Sequence, residues 1–292
     1  MMSRGRAEAL ILIAAAIWGF AFVAQRTAME HMAPFSFNAL RFALGALSLM
    51  PVLLLIRPQH HAPVKTRIAF GAMLGLVLFV AASLQQVGII TTTAGKAGFI
   101  TSLYVVIVPL FGLVLGQRIG IGAVAGVVLA VAGMFLLTMK SDFRISMGDL
   151  VVFAGALVWA VHVQMIDRFT ARVAALELAC IQFAVCALLS AIVSLCIEPT
   201  PLAGVRHALV PVLYAGVVSV GIAYTLQVVG QKHVPPTHAA ILLSMEGAFA
   251  ALGGWLLLAE YLSFRACVGC VLMLAGMIVS QVRIPAGKAD RA

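Results

Sequence analysis

Charge is scarce in this chain. Asp, Glu, Lys and Arg make up 10% of its 292 residues and hydrophobic residues 63%, whereas soluble domains carry about a quarter charged residues. A water-soluble globule is therefore excluded. Carboxylates are the rarer sign, ten against nineteen Lys and Arg, and Glu246 is the only one deep within an apolar stretch. A positioned acid/base pair for intramembrane hydrolysis is thus missing, as are His-Glu-x-x-His and Gly-x-Ser-x-Gly. The only Gly-Lys near a helix start, Gly95-Lys96, is followed by Ala97 and has no upstream glycine, so no phosphate-binding loop for ATP is present. No cofactor motif is found. The five cysteines, Cys180, Cys186, Cys196, Cys267 and Cys270, all fall in apolar stretches and cannot form a secreted disulfide framework. Cys267 and Cys270 lack a second ligand pair for a metal and read as small residues at a helix contact. The basic residues are dispersed over loops without interleaved aromatics, which excludes a nucleic-acid stripe.

Ten apolar stretches occupy nearly all of the sequence. Their approximate limits are 9–26, 35–56, 68–90, 97–115, 119–139, 150–166, 176–197, 208–229, 239–259 and 264–282. Roughly 20 residues at 1.5 Å each cross about 30 Å of hydrocarbon, so each is expected to be one transmembrane helix. Connecting loops are mostly under a dozen residues and leave no room for a soluble domain. Arg4 and Arg6 before the first stretch also suit a signal peptide, but cleavage would delete the counterpart of 150–166, so the first helix is expected to stay.

The last five stretches echo the first five at an offset of 141 to 143 residues. Trp18 corresponds to Trp159, and Leu-Gln-Gln-Val-Gly from Leu84 to Leu-Gln-Val-Val-Gly from Leu226. Gly126–Met134 and Gly269–Met277 agree at six of nine positions. An odd number of spans per copy inverts the second copy, the plan of many secondary transporters with a site at the midplane. The expected halves are 1–140, helices 1 to 5, and 141–292, helices 6 to 10. With the N-terminus in the cytoplasm, twelve Lys and Arg fall inside (Arg4, Arg6, Arg57, Lys65, Arg67, Arg118, Arg168, Arg172, Lys232, Arg283, Lys288, Arg291) and six outside (Arg26, Lys96, Lys140, Arg144, Arg206, Arg265). Positive charge is retained inside, so both termini are expected to be cytoplasmic.

Polar groups within spans are functional candidates because hydrocarbon penalises them. Glu246, with Ser244 before it and small residues after it, reads as a cavity carboxylate for a substrate amine or a proton, or as a structural carboxylate. Phe79, Ser83 and Gln86 share one face of the third span, and Tyr224, Gln227 and Gln231 one face of the eighth. Gln85 is the repeat partner of Gln227. The first span offers Trp18, Phe22 and Gln25, and the sixth Trp159 and His162. An aromatic and amide-lined cavity suits a small ligand with an apolar body and a polar end. Arg41 lies two turns into the second span and reads as a side chain snorkelling to the headgroups. Lys96 reads as a helix-end charge. Pro51, Pro109 and Pro211 lie inside spans and are candidate kinks for gating. Pairs such as Gly71 and Gly75, or Gly122 and Gly126, read as close helix contacts.

Several segments together resemble the EamA group of the drug/metabolite transporter superfamily over essentially the whole chain. They are Trp18, Ser-Leu-Tyr-Val-Val-Ile-Val-Pro ending at Pro109, Ser-Met-Glu-Gly-Ala-Phe-Ala-Ala-Leu from Ser244, and the run ending at Glu260. Two departures stand out. Glu246-Gly247 replaces the group's usual Glu-Pro, which predicts a straighter ninth helix, and Gly116-Gln117 replaces Gly-Glu. The resemblance implies a ten-helix bundle whose cavity is lined by helices 1, 3, 4, 6, 8 and 9, adding Phe99 and Tyr104 to the candidates. It further implies a monomeric secondary transporter of the inner membrane. The narrower similarity is to aromatic amino-acid exporters of the YddG type, with large apolar or aromatic amino acids as expected substrates. A broad-specificity carrier of amphiphiles is the alternative within the superfamily, and a non-transporting subunit or intramembrane enzyme the alternative outside it.

Overall fold

A computed structural model describes residues 2–56, 62–117, 119–138, 146–200, 202–258 and 263–281. The expected junction between halves at 140 and 141 lies outside these residues. So do Glu260, Arg57, Arg118, Lys140, Arg144, Arg283, Lys288 and Arg291.

Lipid offers no partners to a polar backbone, so a long apolar segment satisfies itself as a helix. The described residues form α1 (Arg4–Ala28), α2 (Pro34–Ile56), α3 (Val64–Gly88), α4 (Ala94–Val114), α5 (Ile121–Thr138), α6 (Met147–Thr170), α7 (Ala175–Ile197), α8 (Leu209–Gln231), α9 (Pro236–Leu257) and α10 (Phe264–Gln281). Eight have the length and apolarity to cross a membrane, and the apolar cores of α5 and α10, Ile121–Leu136 and Phe264–Ser280, are shorter. The outward faces are what hydrocarbon requires: Leu55, Val114 and Phe264 are all more than four-fifths exposed, whereas Gln86, His162, Gln182 and Gln231 are fully buried. Outward-facing positions are apolar, and the polar side chains of the spans join the apolar core inside.

The helices contact one another in a pattern that survives exchange of the halves. α2 packs on α7, α4 on α9 and α5 on α10; α1 meets α8 and α9, while its counterpart α6 meets α3 and α4. The fold is therefore ten helices in two inverted repeats of five. Close packing explains the paired glycines. A Cβ on Gly75 would lie 2.6 Å from Val185 of α7, and one on Gly126 would lie 2.7 Å from the Gly276 carbonyl of α10.

The end of the bundle opposite the start of α1 is fastened by two carboxylates. Glu198, just beyond α7, accepts from the backbone N–H groups of Phe35 (2.7 Å) and Ser36 (3.0 Å), and from the Ser36 (2.5 Å) and Ser194 (2.7 Å) hydroxyls. It caps the otherwise unpaired N-terminus of α2 from the other half. Asp149 completes a capping box with Ser146 at the start of α6 and accepts from Thr92 at 2.5 Å and Lys96 at 3.4 Å. Lys96 is thus a helix-end charge with a defined partner. At the end where α1 starts, Arg67 pairs with Glu177 at 2.6 Å and joins α3 to α7.

Two spans are interrupted. α4 breaks at Leu103 between Ala94–Ser102 and Tyr104–Val114, and α9 breaks at Ser244 and Met245 between Pro236–Leu243 and Glu246–Leu257. The positions differ by 141 to 142 residues and are equivalent under the repeat. The expected straightening of α9 is corrected here: the helix breaks without a proline, because the chain takes tighter i to i+3 bonds, Met245 N to Leu242 O and Gly247 N to Ser244 O. In contrast, Pro51 and Pro109 lie inside continuing helical segments. Pro211 precedes a π-helical stretch of α8, Tyr214–Tyr224.

Replacing Glu198 by Ala should leave the α2 N–H groups and two buried hydroxyls without their acceptor, a loss of about 1–3 kcal/mol. A lowered thermal midpoint of the purified protein in detergent is the expected result, and an unchanged midpoint would refute the clamp.

Candidate functional site

Between the two interruptions the bundle holds a cavity that is partly open to its surroundings, a concave site of the kind small ligands occupy. Its walls come from α1 (Trp18, Phe22, Gln25), α2 (Arg41), α3 (Gln85), α4 (Thr101, Tyr104), α6 (Trp159, Val163), α8 (Ser219, Tyr224, Gln227) and α9 (Leu243, Glu246).

Nine of the expected residues meet there: Trp18, Phe22, Gln25, Gln85, Tyr104, Trp159, Tyr224, Gln227 and Glu246. Seven stand outside the cavity wall, among them Gln231, which donates to the Val163 carbonyl at 2.6 Å. His162 is buried against Gln182 of α7, Nε2 to Oε1 2.8 Å. Gln86 donates to the Gln25 carbonyl at 3.4 Å, and Ser244 donates back to the Ile241 carbonyl at 2.8 Å. Phe79 packs toward Phe35, with ring centroids 6.4 Å apart. Phe99 packs against the main core, and the Ser83 hydroxyl is buried without a partner. Four lining residues, Thr101, Val163, Ser219 and Leu243, carried no sequence signal that separated them from ordinary helix-packing residues.

Arg41 is the main correction. Instead of snorkelling to the headgroups it is 2% exposed and forms part of the cavity wall. Its guanidinium carbon lies 4.8 Å from the Phe42 ring centre and 5.4 Å from that of Phe37, within cation–π range. Side-chain direction accounts for the difference: Arg41 sits on the face of α2 that packs against α7 and α8, so its stem is held within protein. Helix 2 thereby joins the six helices expected around the cavity.

The aromatic wall is built around Tyr224. Its ring lies 4.5 Å from Trp18, 6.0 Å from Trp159, 5.7 Å from Phe183 and 6.2 Å from Phe42, centroid to centroid. The two tryptophans, equivalent under the repeat, each bond to the opposite half. Trp18 Nε1 donates to the Ser219 carbonyl of α8 at 3.2 Å, and Trp159 Nε1 donates to Gln85 Oε1 of α3 at 2.9 Å. Gln85 Nε2 continues to Gln25 Oε1 at 3.0 Å, so a chain of three side chains crosses from α6 through α3 to α1. The π-helical stretch places Ser219 here, a backbone form often found at functional sites.

Electrostatically the cavity has two poles. Glu246 is 3% exposed and begins the second segment of α9, at a helix N-terminus whose dipole favours negative charge. Its Oε1 accepts no hydrogen bond of good geometry, although the Tyr104 and Ser102 hydroxyls stand close enough to interact with the carboxyl. Arg41 supplies the positive pole, and the Tyr224 hydroxyl stands within electrostatic reach of both. Among the described residues no group of three or more His, Cys, Asp or Glu is placed to hold a metal ion.

The sequence signature of the EamA-like transporter family matches residues 5–139 and again residues 146–281. The chain belongs to the EamA-like transporter family. An uncharacterized transporter of Archaeoglobus fulgidus is 30% identical over 275 residues, covering 94% of this chain and 85% of that protein. The uncharacterized transporter YoaV of Bacillus subtilis is 22% identical over 277 residues, covering 90% and 92%. A solved protein crystal structure superposes with a TM-score of 0.78 at 22% identity, over 96% of this chain and 98% of that one, which shows a shared fold. The protein is thus a multi-pass membrane transporter that handles small molecules.

Gln85→Leu should leave the Trp159 indole and Gln25 without partners and lower the thermal midpoint in detergent by the equivalent of about 0.5–2 kcal/mol. An unaltered midpoint would show that the Gln25–Gln85–Trp159 chain contributes nothing.

Proposed function

We propose that this transporter exports amino acids with large apolar or aromatic side chains, and related amphipathic metabolites, across the bacterial inner membrane. The observation that carries the reading is the pairing, within one cavity, of an aromatic wall around Tyr224 with the buried carboxyl of Glu246, which is in no ion pair among the described residues. The ring-lined part accommodates an apolar side chain, and Glu246 receives the ammonium group. Trp18, Phe22, Tyr104, Trp159, Gln85 and Gln227 complete the binding surface in this reading, with Phe79, Ser83, Gln86, Phe99, His162 and Ser244 as its supporting layer.

Alternating access follows from inverted repeats about a midplane site. In this proposal residues 1–140 and 141–292 are the two units that rock against each other, with Pro51, Pro109 and Pro211 as points of bending. Both termini face the cytoplasm, in keeping with the positive-charge count, and one ten-helix bundle is the working unit.

In proteoliposomes, Trp159→Ala, Gln227→Ala and Glu246→Gln are each expected to reduce phenylalanine or tryptophan uptake by about tenfold or more, the equivalent of one lost polar or aromatic contact. Protein that elutes as a single species on size exclusion controls for folding. Wild-type rates in all three would refute the site. Flux measured with and without an imposed pH gradient separates the two roles open to Glu246: stimulation that vanishes in Glu246→Gln assigns it a proton, and indifference leaves it the substrate's ammonium group.

A further inference from the structure

We infer that Arg41 is the anion receptor of the cavity, and that the solute it takes carries a carboxylate. The inference rests on the cavity being the transport site and narrows what that site accepts.

Arg41 is 2% exposed, lines the cavity, and has both Nε and Nη2 buried without a hydrogen-bond partner. Among the described residues no carboxylate lies in ion-pair contact with it; the described pairs are Arg4–Glu8, Arg67–Glu177 and Lys96–Asp149. A guanidinium inside a membrane protein is held by an anion, by carbonyls or by water, because hydrocarbon penalises it otherwise. Here the Phe37 and Phe42 rings lie within cation–π distance of it, and the unbonded nitrogens remain for a ligand. A planar guanidinium with adjacent free N–H donors matches a carboxylate in a two-point fork.

The remainder of the cavity decides between oxyanions. Among the described residues Arg41 is the only Lys or Arg on its wall, and Glu246 is on the same wall. A phosphate carries up to two negative charges and would be opposed by Glu246 while meeting one cation. A carboxylate meets that cation charge for charge. With the Tyr224 hydroxyl in electrostatic reach of Arg41 and Glu246 alike, the two poles are arranged for a zwitterion, anion toward α2 and cation toward α9, with the apolar part against the rings.

Removing the carboxylate from the solute and removing the guanidinium from the protein should therefore have the same effect. Binding to detergent-purified protein is read as thermal stabilisation by phenylalanine, phenethylamine, phenylacetate and phenyl phosphate, and flux of the first two is read in proteoliposomes. Wild-type protein is expected to bind phenylalanine at least about tenfold more tightly than phenethylamine and to bind phenylacetate in preference to phenyl phosphate. Arg41→Gln should abolish the preference for phenylalanine over its amine and the binding of phenylacetate. Arg41→Lys, which keeps charge without the fork, should retain the preference with weaker binding. Equal affinity of the wild-type protein for phenylalanine and phenethylamine, or absence of phenylacetate binding, overturns the inference even if every Arg41 variant fails to fold. An unchanged preference in Arg41→Gln does the same while leaving amino-acid transport intact. Phenylacetate binding lost in Arg41→Gln, with no phenylalanine flux by wild-type protein, supports the receptor and removes the amino-acid reading instead.

Discussion

A polar group placed in hydrocarbon must be answered by another group of the same protein, and this constraint organises the whole bundle. It turns the apolar segments into helices, drives Gln25, Gln85, Gln227, Gln231 and Arg41 inward, and leaves leucine and valine on the outer faces. Where two spans are interrupted, Ser244 and Met245 are buried and Leu103 is half-buried, and the helices that carry them, α4 and α9, pack on each other. The same two places border the cavity. Backbone irregularity and binding site therefore coincide because both need shelter from lipid.

The bonds that cross between halves are of two kinds. At the far end from the start of α1, Glu198 and Asp149 hold helix N-termini through several short charge-assisted bonds, which are among the stronger polar contacts available. Around the cavity, single indole N–H bonds and amide pairs do the joining, and in membranes such bonds average well under 1 kcal/mol. The firm attachments are thus peripheral and the weak ones central. A solute entering the cavity competes with the weak set.

Much of the fold is legible in sequence, because ten apolar runs of spanning length admit little besides ten helices, and an odd-numbered repeat dictates inversion. The tryptophans were legible for the same reason: Trp18 and Trp159 are repeat partners, and each bonds to the opposite half, one to a backbone carbonyl and the other to a glutamine side chain. Helical periodicity did less well within α3 and α6. His162 and Gln86 lie on faces that a one-dimensional pattern marks as polar, yet their partners, Gln182 and the Gln25 carbonyl, come from other helices. Arg41 was misjudged by depth alone, since distance from a helix end says nothing about whether that face meets lipid or protein. The break in α9 was hidden because proline is one cause of an interrupted helix and not the only one; Glu246-Gly247 keeps the break through its tight turn and the small volume at Gly247, where a Cβ would come within 3.2 Å of the Ser102 hydroxyl.

The π-helical stretch of α8 adds a property that neither a straight nor a kinked helix has. Its bonds step from i to i+5, so it holds more residues per turn than the α-helix on either side. Exchanging those bonds for i to i+4 bonds would lengthen the segment and turn everything beyond Tyr224 about the helix axis, without unfolding a single turn. Gln227 and Gln231 would then point toward different neighbours while Pro211 stayed where it is. The eighth helix is in this sense a screw, with its thread wound loosest where it passes the cavity.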